Sequence, residues 1–212
     1  AKELNSEIIN ADSMQVYKEI KILSARPDST KTKHHLYGFV PAKENFSVGS
    51  WYKLATEKIK DINKKGKLAL VVGGTGLYFK ILTDGLVEIP EVPKFDYSYL
   101  NPVGRRVMQN HYGKRYPKIF EGINRNDIQR VSRAISVYNA TGITLNDWQK
   151  KKNKKYFNSK EFIKICLIPP KLELEERIKK RFLDMLKRGA IEEAKKYKEL
   201  NLSLHSLHTS IQ

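Results

Sequence analysis

Short apolar runs alternate with amphipathic stretches along this 212-residue chain, and that rhythm sets its reading. Glu7-Ile8-Ile9-Asn10, Leu68-Ala69-Leu70-Val71-Val72 and Phe162-Ile163-Lys164-Ile165-Cys166-Leu167-Ile168 are continuously or nearly continuously apolar. Strands buried on both faces look like this. Gly73-Gly74 ends the second run and Pro169-Pro170 the third, while Ala1 to Leu4 reads as the last turn of a helix. Trp51 to Lys65 places Trp51, Leu54, Ala55, Ile59 and Ile62 near a 3.6 period, and Gly66 stops it. Asn126 and Asp127 can cap a helix through Ile128, Val131, Ile135 and Tyr138, with Gly142 just beyond. Leu172 to Arg188 gathers Leu174, Ile178, Phe182, Met185 and Leu186 on one side before Gly189, and Ala190 to Leu200 is a further short helix. Strands alternating with helices predict an α/β fold with a parallel sheet flanked by helices. The stretch from Glu91 to Gly122, rich in Pro, Gly, Tyr and Arg, breaks the rhythm. It predicts a small, mostly helical insertion at 93–122 between two parts of one core, 1–92 and 123–212. No internal repeat is visible.

Composition narrows the class. Forty Lys and Arg stand against 23 Asp and Glu, a formal net charge of +17, and 40% of residues are hydrophobic. A chain this long buries roughly 70% of its unfolded surface, so it is no disordered basic tail. The charge suits nucleic acid, an anionic membrane surface or a phosphorylated small molecule, and does not choose among them. A bias towards Lys and Asn codons would also produce it. Cys166 is the single cysteine, which excludes a disulfide framework or a Cys-based zinc site and fits a reducing, cytoplasmic compartment. No apolar run approaches the ~18 residues of a membrane span.

In an open parallel sheet, ligands bind beyond the carboxyl ends of the strands. Asp12-Ser13-Met14-Gln15 follows the first strand and Gly73-Gly74-Thr75-Gly76 the second. Asp12 there can accept a proton or hold a metal, or can simply cap a helix. The glycines can let backbone N–H groups approach an anion, or can make a tight turn; no Walker-type Lys accompanies them. Gln129, Arg130 and Arg133 open a helix, with the arginines three apart on neighbouring positions. They can contact RNA phosphates or a base edge, or form surface salt bridges. Arg177 and Arg181 are spaced i, i+4, and Arg181 can clamp a phosphate or pair with a carboxylate such as Glu173. His34-His35 lacks a third ligand at a sensible spacing and reads as structural.

Taken in order, Ile9-Asn10-Ala11-Asp12-Ser13-Met14-Gln15-Val16-Tyr17-Lys18, Ala25-Arg26-Pro27, His34-His35-Leu36, Val71-Val72-Gly73-Gly74-Thr75-Gly76-Leu77-Tyr78 and Asn126-Asp127-Ile128-Gln129-Arg130-Val131-Ser132-Arg133-Ala134 resemble the tRNA dimethylallyltransferases, also called tRNA isopentenyltransferases. Thr141-Gly142, Trp148-Gln149 and Arg177-Ile178-Lys179-Lys180-Arg181-Phe182 continue the resemblance, which spans the chain apart from about 93–122 and 150–160. It implies a P-loop-NTPase-like fold and a prenyl transfer. A dimethylallyl group would pass from dimethylallyl diphosphate, usually with Mg²⁺, to N6 of the adenine 3′ of the tRNA anticodon. By the resemblance Asp12 is the general base. Asp12, Ser13, Met14 and Gln15, with Gln129, Arg130, Val131, Ser132 and Arg133, hold the anticodon loop, to which the 93–122 insertion also reaches. Thr75 faces the reaction channel, and Arg181 lies among the diphosphate-binding groups. A cytoplasmic monomer is expected.

The family's pattern begins with a strand and a Gly-x-Thr-x-Ser-Gly-Lys-type P-loop that the given sequence does not contain, so the sequence is expected to be incomplete at its start. A protein truly without that loop is expected to lack transferase activity. The family also continues past Leu207 to Gln212, and residues are expected to be missing near 93–122 and 150–160. Two other functions fit the same residues. An adenylate isopentenyltransferase would make a free cytokinin, against which the basic helix and the +17 charge argue. A non-enzymatic RNA-binding domain would lack the phosphate loop altogether.

Overall fold

The computed structural model describes residues 1, 3–28, 32–151 and 153–199. They fall into two units, one within residues 1–84 and 155–199 and the other within 85–154.

In the first unit the apolar runs at 7–10 and 68–72 become β1 (Ser6–Asn10) and β3 (Leu68–Val72). A two-residue strand, β2 (His34–His35), completes a parallel sheet in the order β2-β1-β3. Ile8 lies opposite His34 on one side and Leu70 on the other. Helix α1 (Val48–Lys64) starts three residues before the periodicity suggests, because the Ser47 hydroxyl accepts the Ser50 N–H. It buries Trp51, Tyr52, Ala55, Thr56, Ile59 and Ile62 against β1, β3 and α2 (Gly76–Asp84). Among the described residues no helix is long and apolar enough to cross a membrane.

Two predicted elements differ. Ala1 to Leu4 is not the end of a helix: a turn at residues 3–5 leads into β1, closed by the Ser6 N–H on the Ala1 carbonyl at 3.1 Å. Four residues carry too little to nucleate a helix alone. Phe162–Ile168 is not a strand, and Ile163, Ile165 and Leu167 are 82–94% exposed. An apolar run becomes a strand only when another strand supplies its hydrogen bonds. Both edges of β1 are already taken, and among the described residues none pairs with 162–168. Beyond it, α6 (Lys171–Lys187) buries no residue, so its predicted apolar stripe lies open, and α7 (Ala190–Glu199) follows. Leu207 to Gln212 lie outside the described residues.

One charged side chain sits inside this sheet. Glu7 is 3% exposed, and its carboxylate accepts the Lys67 ammonium at 2.9 Å and meets His35 Nε2 at 2.7 Å. The Lys67 hydrogen bond, then that of His35, lowers its pKa from the ordinary 4.5 to about 2. A carboxyl whose folded pKa is depressed contributes stability that is complete above the unfolded value and is lost as pH falls towards the folded one. Glu7→Gln is therefore expected to lower Tm at pH 7, with the two melting curves converging between pH 4.5 and about 2. A Tm difference unchanged over that interval would remove the ion pair as the cause.

The second unit contains α3 (Pro102–Arg115), α4 (Ile128–Thr141) and α5 (Leu145–Gln149). Asp127 caps α4 by accepting the Arg130 N–H at 3.1 Å, and Gly142 ends it with φ +67°, a left-handed turn that suits glycine. The unit is larger than the 93–122 insertion expected, because Val131, Ala134 and Ile135 of α4 share one core with Tyr97, Ile119 and Phe120. An amphipathic helix belongs with the elements that cover its apolar face. The Gln109 amide joins the parts by donating to the Tyr97 hydroxyl and the Arg125 carbonyl. At the ends of the unit, Leu86 and Lys154 exchange backbone hydrogen bonds at 3.2 and 2.9 Å.

Candidate active site

The register of β1 against β3 brings their carboxyl ends together, and the Ala11 N–H extends the ladder to the Val72 carbonyl at 2.8 Å. Immediately beyond, the chain after β3 crosses the chain after β1 at very close range. A Cβ on Gly73 would stand 2.2 Å from the Ala11 carbonyl carbon and 2.7 Å from the Asp12 nitrogen. No larger residue fits that crossing.

Hydrogen bonds then stitch the two turns together. The Thr75 N–H donates to the Ala11 carbonyl at 3.1 Å, and the Ser13 N–H donates to the Thr75 hydroxyl at 2.9 Å. That hydroxyl also lies 3.3 Å from the Ser13 Oγ. The glycine turn thus serves as a tight crossing, with the Thr75 N–H committed to the protein itself. Asn10, the last residue of β1, is the brace. Fully buried, it donates to the Asp12 and Leu36 carbonyls and accepts the Asp12 N–H. Its own carbonyl accepts the Trp51 indole N–H at 2.8 Å, and Trp51 stacks on Tyr78 at 4.2 Å. Burial, together with the nearby charges of Tyr17 and Asp12, pushes the Tyr78 phenol well above its ordinary pKa.

Asp12 itself divides its two oxygens between tasks. Oδ1 accepts the Met14 N–H at 2.8 Å and the Gln15 N–H at 3.4 Å, fixing the carboxylate like a helix cap. Oδ2 lies on the Gly74 side, 3.9 Å from where a Cβ on that glycine would stand, and accepts no hydrogen bond among the described residues. The cap and the proton acceptor, alternatives on sequence grounds, are compatible in one side chain. A half-buried carboxylate with one oxygen immobilised and the other open can take a proton from a correctly placed amine.

The remaining candidates stand on other elements. Gln129, Arg130 and Arg133 are on α4 of the second unit, where Arg130 is exposed and 3.4 Å from Asp127. Val131 and Ser132, expected to contact RNA, instead turn inward and are 0% and 7% exposed. The 3.6-residue period that presents Arg130 and Arg133 outward places those two in the core. Arg181 is exposed on α6, and among the described residues no hydrogen bond or ion pair joins it to Asp12 or Thr75. Glu173 pairs with Arg177 rather than with Arg181. His34 and His35 are held by the Thr32 carbonyl and by Glu7, a structural role. Among the described residues no cluster of three His, Cys, Asp or Glu could hold a metal ion.

Comparison with known proteins supplies the family. A family model described as IPP transferase matches residues 15–212. A tRNA dimethylallyltransferase of Pelagibacter ubique is 43% identical over 209 residues, covering 95% of this chain and 66% of the relative. One from Parvibaculum lavamentivorans is 40% identical over 200 residues, covering 92% and 63%. Among solved structures, a eukaryotic dimethylallyltransferase acting on tRNA superposes with a TM-score of 0.75 at 28% identity, covering 94% of this chain and 51% of that one. The tRNA isopentenylpyrophosphate transferase of Bacillus halodurans gives 0.61 at 30% identity, covering 96% and 65%. The chain thus spans about two thirds of the length of the curated relatives it matches. With its strand-end carboxylate, its crossed glycine turn and a family match over most of its length, this chain belongs to the IPP transferase family.

Proposed function

We propose that this protein modifies tRNA by transferring a dimethylallyl group from dimethylallyl diphosphate to N6 of the adenine 3′ of the anticodon. The observation that carries the reading is the open Oδ2 of Asp12 at the end of β1, in a chain that belongs to the IPP transferase family. As N6 attacks the allylic carbon, the bond from that carbon to the diphosphate oxygen breaks and diphosphate leaves. Asp12 Oδ2 takes the N6 proton while the Met14 and Gln15 N–H groups hold Oδ1 still. Thr75 keeps Ser13 in place beside it.

Gln129, Arg130 and Arg133 supply donors for the anticodon-loop backbone, and Arg181 supplies charge for the diphosphate. The second unit is itself basic, with thirteen Lys and Arg to six Asp and Glu over residues 85–154, which favours RNA over a free nucleotide. Magnesium would enter as the companion of the diphosphate substrate. The protein acts as a cytoplasmic monomer.

The test is competition between acceptors. The full-length protein, given labelled dimethylallyl diphosphate with equal adenine in tRNA and in AMP, is expected to label the tRNA. Label in AMP alone would assign the adenylate reaction, and tRNA binding without label in either would assign a binding module.

A further inference from the structure

Asn10 is fully buried at the end of β1, and both ends of its carboxamide are engaged. Nδ2 donates to the Asp12 carbonyl at 2.9 Å and to the Leu36 carbonyl at 3.0 Å, while Oδ1 accepts the Asp12 N–H at 2.9 Å. Two carbonyls at one end and an N–H at the other admit a single orientation of the amide. Its bonds to Asp12 fall on the peptide groups either side of that residue's Cα. With both peptide planes held, the φ and ψ of Asp12 are set, and with them the direction in which its carboxylate leaves the chain.

An ordinary Asx turn needs only the bond from the Asp12 N–H. The bond to Leu36 reaches 26 positions along the chain. Leu36 directly follows β2 and stands at φ +62°, a left-handed conformation rare for a bulky side chain and kept where the surroundings enforce it. The two residues of β2 pair with Ile8 and Ile9 of β1. His35, the second of them, is tied by its side chain as well, with Nε2 2.7 Å from the Glu7 carboxylate. β2 and the strained residue after it thus present one carbonyl to Asn10.

We infer that Asn10 is a positioning residue for the proposed transfer, aiming the Asp12 carboxylate by tying both of its peptide groups to the Leu36 carbonyl at the end of β2. This rests on the proposed function and adds how its base is held. The pair His34-His35, structural on sequence grounds, then serves the site by fixing the anchor. A proton acceptor must stay within hydrogen-bond reach of the reacting amine, so a small error in its direction costs rate before it costs binding.

The experiment is a double-mutant cycle in the full-length protein, read as single-turnover transfer at saturating tRNA and below the Tm of every variant. Asn10→Ala is expected to lower the rate about thirtyfold, with tRNA affinity within about threefold of wild type. Asn10→Ser is expected to recover part of that rate, because its hydroxyl can accept the Asp12 N–H but is too short to reach Leu36. In the Asp12→Asn background Asn10→Ala is expected to cost less than about twofold, since no base remains to be aimed. Ile59→Val, in the core face of α1, is the stability control and should lower Tm without that rate loss. If Asn10→Ala does not fold, the cycle is read with Asn10→Ser. The same loss in both backgrounds, or a matching rate loss in Ile59→Val, would overturn the inference alone. A rate for Asn10→Ser equal to wild type would remove the tie to Leu36 from it. No transfer by the wild type would overturn the proposed function and the inference with it.

Discussion

Asp12→Asn lowers the rate of dimethylallyl transfer about 10³-fold while tRNA affinity stays within about threefold, the pattern of a lost general base. Asparagine is the informative replacement because the native carboxylate does two things. Its carbonyl oxygen still accepts the Met14 and Gln15 N–H groups that Oδ1 now holds. What it loses is the capacity of Oδ2 to take a proton. Asp12→Ala removes both, and adds the loss of a local cap worth about 1 kcal/mol. Single-turnover rates and equilibrium binding, measured on the same preparations, separate the two contributions. Should Asp12→Asn lose affinity as steeply as rate, the carboxylate is a binding group and the assignment fails.

Gly73→Ala is expected to cost about 3 kcal/mol of stability and to lower Tm by roughly 10 °C. The added methyl would stand 2.2 Å from the Ala11 carbonyl carbon and 2.3 Å from its oxygen, both backbone atoms. They can yield only by parting the chain after β1 from the chain after β3. The same separation would break the Thr75 N–H to Ala11 bond and the Ser13 N–H to Thr75 bond, and the transfer rate should fall with them. Gly76→Ala is the control, since a Cβ there meets nothing within 4 Å and Gly76 opens α2. It should leave Tm unchanged or raise it slightly. Equal melting temperatures for the two variants would show that the crossing is looser than it stands here.

Where local chemistry decided, the sequence was a good guide. The apolar runs at 7–10 and 68–72 became strands, and Asp127 and Gly142 bracket α4 because capping and left-handed turns depend on a few adjacent residues. The position of Asp12 after a buried strand also followed from pattern alone.

What escaped depended on partners distant along the chain. Phe162 to Ile168 is as apolar as a buried strand, yet a strand exists only with a neighbour, and Ile163, Ile165 and Leu167 lie exposed. β2 is two residues long and leaves no period to detect. Val131 and Ser132 face inward because Tyr97, Ile119 and Phe120 lie on that side of α4. The grip of Glu193 on Ile22 and Leu23, and Asn10 as the brace of the Asp12 turn, rest on hydrogen bonds no motif announces. Family resemblance suggested the proposed reaction, and the geometry shows how one carboxylate can cap a turn through Oδ1 and leave Oδ2 for the proposed proton transfer.

The most direct measurement is the mass and position of the modification on tRNA incubated with the full-length protein and dimethylallyl diphosphate. Nucleoside analysis is predicted to find one dimethylallyl group on N6 of the adenosine 3′ of the anticodon with the wild type, and a trace with Asp12→Asn. An unmodified adenosine there, or equal modification by both proteins, would contradict the account.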